Sequence, residues 1–338
     1  MEFSLQARGE KIDMKNTSVR KRGLIFIAIG WALLIIGDRV DDLALSQGAL
    51  VATYALAIAS IILLTGYSGQ LSLGHSALMA VGAYAAALST NNLGLSPAIA
   101  LVVAAFVAGI FGLILGFGVA RLSGPYLAGT TLALAVSLPT IANQFAILGG
   151  EQGVAFDIGL PPARFGEEFS QYKWFFWIAS LAALIMVWFV VNIVSSRYGR
   201  TFRAMRDNST AAELAGVNVG FHKLLAFTIS AGAAGLSGGL LVMLITGVSP
   251  SAFPLSLSFS LLTGAVVTGV YNLKGVILGA LVLVAIPEIA DSLVSRIGGS
   301  EELATTLPGF LVSALLILAV LFTPNGPGEL LKKRHHKK

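Results

Sequence analysis

Residues able to do acid–base or nucleophilic chemistry are few in this chain, and their spacing limits what they can do. There is no cysteine among the 338 residues, which excludes disulfide frameworks, zinc–thiolate sites and thiol nucleophiles. Histidine occurs four times, twice in the tail as His335-His336. No GxxxxGK[ST] phosphate loop, HExxH pair or GxSxG elbow is present, so ATP hydrolysis on a phosphate loop and zincin or serine-hydrolase catalysis have no residues to carry them. No facing nucleophile and base are found within the apolar runs. No catalytic residue and no metal-ligand set is therefore assigned.

Two carboxylates do stand within an apolar run. Glu288 and Asp291 follow Pro287 at a three-residue spacing that puts both on one helical face. A carboxylate at mid-bilayer costs ~2.5–3.5 kcal/mol on insertion scales. Glu288 lies ~20 Å along its helix from the basic end at Lys274, taking 1.5 Å per residue, so the interface is within cheap reach. A partly solvated helix end is the simpler reading, and a substrate or proton site the sharper one.

Polar and small residues concentrate in two other places. Residues 65–84 carry Thr65, Gly66, Ser68, Gly69, Gln70, Ser72, Gly74, His75 and Ser76 between two apolar runs. They read either as a tight turn with Ser72 as helix N-cap or as a broken helix whose serines and His75 line a polar path. Residues 196–222 are basic. Arg203 and Asp207 stand at i,i+4, and Ala211, Ala212 and Ala215 form a small-residue face ending at Gly216. A partner's cleft could close on that face, with Arg200, Arg203 and Arg206 as a charged rim. A solvated basic loop accounts for the arginines but not for the small face.

The elements that hold these residues follow from composition. The chain is 56% hydrophobic and 12% charged, with a mean hydropathy of +0.83. Soluble chains carry about 25% charged residues, so lipid must solvate part of this one. A span needs about 20 apolar residues, and ten runs qualify: 23–37, 44–65, 72–90, 97–120, 126–148, 174–195, 223–246, 255–271, 275–292 and 304–323. The first resembles a signal peptide but precedes Asp38-Arg39-Val40-Asp41-Asp42 rather than a small-residue cleavage site, so it reads as a retained helix.

With the N-terminus inside, 18 of the 22 Lys and Arg fall on the inner side, as the positive-inside rule requires. The expected architecture is thus an all-α polytopic bundle with both termini cytoplasmic. It comprises a basic tail 1–22, a membrane domain 23–323 with inner loop 196–222 and outer loop 149–173, and a basic tail 324–338. The net charge of +5 is explained by cytoplasmic anchoring beside lipid, without nucleic acid.

Taken together, several segments resemble the branched-chain amino acid ABC transporter permease family of LivM type. They are Gly66–Tyr84, Leu122-Ser-Gly-Pro-Tyr-Leu-Ala-Gly-Thr-Thr-Leu-Ala-Leu134, Gly199–Gly216, Lys223–Gly235, Ser249-Pro250 with Phe253, and Lys274–Ala280. The resemblance implies an importer in a prokaryotic cell membrane. Two permease subunits pair (the second LivH-like), two cytoplasmic ATPases bind the ATP, and an external binding protein delivers cargo. No cofactor is expected in this chain. In such permeases the inner loop docks into the ATPase, which here assigns Gly199, Arg200, Arg203, Asp207, Ala211, Ala212 and Gly216. Thr210 stands where the general importer loop has Glu, and Thr268-Gly-Val-Tyr271 replaces a Gly-Gly-x-Gly run. Gly82-Ala83-Tyr84 resembles the amino-acid branch more than the urea branch. Urea, amides or another small polar solute form the alternative cargo. A self-sufficient secondary transporter is the competing class, disfavoured by the scarcity of buried ionisable pairs.

A possible internal repeat bears on the path. Thr65-Gly66-Tyr67-Ser68 and Leu71-Ser72-Leu73 recur as Thr246-Gly247-Val248-Ser249 and Leu255-Ser256-Leu257. Five spans separate the copies, as an inverted five-helix repeat demands. The helices starting near Ser72 and Ser256 would enter from opposite faces, with His75, Thr130 and Thr131 as further lining candidates.

Overall fold

The computed structural model describes residues 2–119, 124–156, 161, 165–166, 169–297 and 300–322, with side chains from residue 19 onward. Leu122 and Ser123 of the motif named above, parts of the outer loop 149–173 and the tail 324–338 lie outside the described residues. The helices are α1 (Glu2–Gly37), α2 (Asp42–Ile61), α3 (His75–Leu93), α4 (Pro97–Val119), α5 (Pro125–Gln144), α6 (Gln171–Ser195), α7 (Arg197–Asp207), α8 (Ser209–Leu214), α9 (Val219–Ile245), α10 (Leu255–Thr268), α11 (Val276–Ile297) and α12 (Glu301–Phe322). One two-residue strand pair joins β1 (Val154–Ala155) to β2 (Gly247–Val248), antiparallel. The fold is all-α and polytopic.

Among the described residues seven helices are long and apolar enough to cross a membrane: 42–67, 97–118, 125–144, 171–195, 219–245, 250–268 and 273–296. α3 is not one of the seven, although it lies deep in the bundle. Its His75, Ser76, Ser89 and a dozen positions in all are buried among other helices. A helix sheathed by protein does not need the hydropathy that lipid contact demands.

Several boundaries differ from those read from composition. The run at 72–90 becomes helical only at His75, with Gly74 rather than Ser72 in the N-cap position. Ser72 Oγ instead accepts from the Gly74 N–H at 3.4 Å within the preceding turn. α9 starts at Val219, four residues before the apolar run, because Asn218 Oδ1 accepts the Phe221 N–H at 3.0 Å and caps it. α5 stops at Gln144, since Phe145 is extended and Gly149 and Gly150 take positive φ.

α9 forms the axis of the bundle and packs on α4, α3 and α2, while α6, α10 and α11 pack on α2. Lipid supplies no hydrophobic push between helices, so close backbone approach must hold them. At the α3–α9 crossing, a Cβ on Gly82 would sit 2.2 Å from the Gly235 carbonyl oxygen. A Cβ on Gly238 would sit 1.9 Å from that of Met79. These helices touch through backbone, and only glycine allows it. β1 pins the loop after α5 to the α9–α10 junction. There the Phe156 N–H donates to Thr246 O at 3.0 Å, and Asn91 Nδ2 donates to Ala155 O at 2.6 Å.

Candidate functional site

α2 does not end in a regular turn. Residues Ile62–Tyr67 wind as a π-helix, after which the chain runs non-helical until His75. The freed backbone groups find side-chain partners, as buried peptide groups must. Thr65 Oγ1 donates to Gln70 O at 3.1 Å, and Gln70 Nε2 donates to Ser68 Oγ at 2.6 Å and to Lys223 O at 3.1 Å. The Leu73 N–H donates to Thr131 Oγ1 at 3.0 Å, so the first turns of α5 clamp the break. Of the turn reading, the Ser72 cap is not observed, because Gly74 holds the N-cap position of α3.

Beyond the break runs a buried polar seam. Ser230 Oγ donates to Ser60 O at 2.8 Å, which commits its only hydrogen. His75 Nε2, 3.2 Å from Ser230 Oγ, must therefore carry the hydrogen of that pair. Its Nδ1 is buried without a hydrogen-bond partner. Ser258 Oγ accepts the Ser76 N–H at 2.9 Å and donates to Ser76 Oγ at 2.8 Å, joining α10 to α3. Ser237 Oγ donates to Thr53 O at 2.9 Å and joins α9 to α2. Every one of these side chains is buried.

Ser72 and Thr131 are buried at the break and His75 in the seam beyond it, whereas Thr130 and Ser256 are exposed. Ser258, not Ser256, meets α3. Ser60, Ser230, Ser237 and Ser258 were not singled out from sequence. Their signal was the seven-residue spacing of Ser230 and Ser237, which puts both on one face of an otherwise apolar helix.

The basic segment folds as two short helices. Ser196 Oγ accepts the Tyr198 N–H at 3.1 Å to cap α7, and Asn208 Oδ1 accepts the Ala211 N–H at 2.9 Å to cap α8. Gly199, Phe202 and Met205 turn inward. α8 ends in a Schellman motif, with Val217 N–H to Ala212 O at 3.0 Å, Gly216 N–H to Glu213 O at 2.9 Å, and Gly216 at φ 85°.

This geometry amends the small-residue face. Ala212 is buried at 6% exposure, whereas Ala211, Leu214, Ala215 and Gly216 are exposed. The i,i+4 pair expected between Arg203 and Asp207 is replaced by Arg206, whose Nε and Nη2 donate to Asp207 Oδ1 at 2.9 and 2.7 Å. Arg203 instead lies over the Tyr67 ring, 6.0 Å from its centre, and Arg200 is exposed. Arg206 Nη1 also reaches the Gly66 carbonyl at 2.8 Å.

The two carboxylates of α11 are both exposed. Glu288 accepts from Gln47 Nε2, near the start of α2.

A family model described as "Branched-chain amino acid transport system / permease component" matches residues 43–320, from α2 into α12. The permease protein LivM of Escherichia coli K12, named for high-affinity branched-chain amino acid transport, is 30% identical over 328 residues. These cover 90% of this chain and 73% of LivM. LivH of Salmonella typhimurium is 24% identical over 81% of this chain and 90% of its own. The fructose import permease protein FrcC of Rhizobium meliloti is 28% identical over 82% and 76%. Among solved structures, PsaBC from Streptococcus pneumoniae in complex with Fab aligns at a TM-score of 0.42 and 16% identity, over 89% of this chain and 99% of that one. The family match from α2 into α12 and the 30% identity to LivM place the chain in the branched-chain amino acid transport system permease family.

Proposed function

We propose that this chain is one of two paired membrane subunits of an ABC importer for branched-chain, aliphatic amino acids. Separate cytoplasmic ATPases power it, and an external binding protein feeds it. The observation that carries the reading is the family match across residues 43–320. The geometry adds three supports.

First, α7 and α8 present Ala211, Leu214, Ala215 and Gly216 outward on a capped, defined surface, which suits insertion into a partner's cleft. Second, α5 exposes Tyr126, Thr130, Ala133, Thr140 and Gln144 along one stripe. A face this polar suits a partner subunit and a solvated path better than lipid. An aliphatic zwitterion could pass hydroxyls and backbone groups there without meeting a fixed charge.

Third, the packing has the pattern of an inverted repeat relating α1–α5 to α6, α9, α10, α11 and α12. α4 on α9 matches α11 on α2, α3 on α9 matches α10 on α2, α3 on α4 matches α10 on α11, and α3 on α5 matches α10 on α12. α1–α6, α2–α9 and α3–α10 each touch their own counterpart, as helices beside a two-fold axis do. The α2–α6 packing has no partner of similar extent between α9 and α1. With the 18-to-4 charge split this supports ten spans and cytoplasmic termini, in the cell membrane of a prokaryote.

The test is uptake of radiolabelled leucine, isoleucine and valine by proteoliposomes holding the permease pair, the ATPases and the binding protein. Uptake must need ATP and the binding protein; uptake by the permease alone would refute the reading. The identity to a fructose import permease favours a second reading, another small polar solute. Fructose and urea therefore belong in the same assay.

A further inference from the structure

Arg206 stands where three chain segments meet. Its Nη1 donates to the carbonyl of Gly66, within the π-turn that ends α2. Its guanidinium face lies 4.5 Å from the ring centre of Tyr271, in the loop between α10 and α11. Its other edge is held by Asp207 of its own helix through two bonds to one oxygen. The group is thus fixed at end, face and edge, and a planar guanidinium so held transmits orientation as well as position. The two segments it grips are also tied to each other, because Tyr67 Oη donates to Tyr271 O at 3.1 Å. They have no slack: a Cβ on Gly66 would fall 1.8 Å from Val270 O.

What lies on either side gives the knot its meaning. Asp207 is exposed at the α7–α8 turn, in the segment that the family resemblance assigns to the ATPase contact. Past Gly66 the chain is non-helical from Ser68 to Gly74 and leads directly into His75 and Ser76 of the seam. A π-turn beside a break is a natural hinge.

We propose that Arg206 is a positioning residue that couples movement of α7 to the α2–α3 break and, through Tyr271, to α10. The proposal rests on the importer reading, and its test separates the two. In reconstituted full complex, Tyr271→Ala, outside the docking face, should leave assembly and binding-protein-independent ATP hydrolysis within about twofold of wild type. Uptake per ATP hydrolysed should fall by about tenfold, the equivalent of ~1.4 kcal/mol of lost coupling. Arg206→Ala should lower the same ratio and Tyr271→Phe should not, since only the ring and the backbone carbonyl of Tyr271 are used. In the double variant Arg206→Ala with Tyr271→Ala the losses should not add. Arg206→Lys, which keeps the charge without the planar fork, should recover part of the ratio. An unchanged ratio in Arg206→Ala overturns the proposal, as does a complex that no longer binds its ATPases, which would make Arg206 a docking residue. If wild type shows no ATP-driven uptake, the importer reading fails instead.

Discussion

Replacing Gly238 by alanine probes how α3 and α9 are held together, and the two opposing effects can be sized in advance. A Cβ there would lie 1.9 Å from the Met79 carbonyl oxygen and 2.5 Å from its carbon. Carbon–oxygen contacts settle near about 3.3 Å, so the helices must part locally by roughly 1.4 Å or bend. The obstacle is backbone in mid-helix and cannot rotate aside as a side chain would. Overpacking of this kind costs ~1–3 kcal/mol. Against it stands the better helix propensity of alanine, worth ~0.8–1.0 kcal/mol. With the obstacle rigid backbone, the strain should win, leaving the variant less stable by up to ~2 kcal/mol.

Gly118→Ala in α4 supplies the control. Nothing lies within 4 Å of its would-be Cβ, so only propensity acts and stability should hold or rise. Thermal unfolding in detergent, followed by tryptophan fluorescence and by loss of the monodisperse peak, reads both. Equal shifts in the two variants, or a Gly238→Ala protein as stable as wild type, would refute the backbone-contact argument.

Three further outcomes are expected. His75→Ala removes a fully buried ring and its bond to Ser230, so detergent stability should fall by about 2–4 kcal/mol; an unchanged midpoint would mean the seam is solvated. Gly216→Ala meets open space but keeps φ 85°, so it should cost ~1–2 kcal/mol as left-handed strain. That would appear as faster hydrogen exchange over 209–217, with Gly216→Asn milder; equal exchange in all three would remove the Schellman cap from the account. Single cysteines at Glu167 and Ser209 should react with an impermeant maleimide from opposite sides of the membrane, and labelling of both from one side would overturn the topology.

Much of the architecture was legible because membrane insertion writes itself into composition. Run lengths near 20 residues and the clustering of Lys and Arg are local properties, and they located the long helices to within a few residues, except that α1 begins at Glu2, inside the stretch 1–22 read as a tail. The π-turn and the break before His75 showed as a density of Gly, Ser and Thr, without saying whether turn or broken helix would result. The family resemblance rested on motifs that fold into the α2–α3 junction, α7–α8 and the start of α9.

Tertiary structure alone decided which polar groups meet. Ser230 and Ser60 are 170 residues apart and Ser76 and Ser258 are 182 apart, and no local pattern pairs residues at such distances. It also reversed two local readings. Spacing alone favours Arg203 with Asp207, but Arg203 faces Tyr67, and the adjacent Arg206 reaches both Asp207 and Gly66. Ala212 belongs by sequence to a small outward face, yet the turn set by Asn208 and Gly216 rolls it inward and leaves Ala211 and Ala215 outside. Hydropathy and charge are summed along the chain and survive in the sequence, whereas a hydrogen bond needs two groups within about 3 Å, a condition fixed only once the helices have packed.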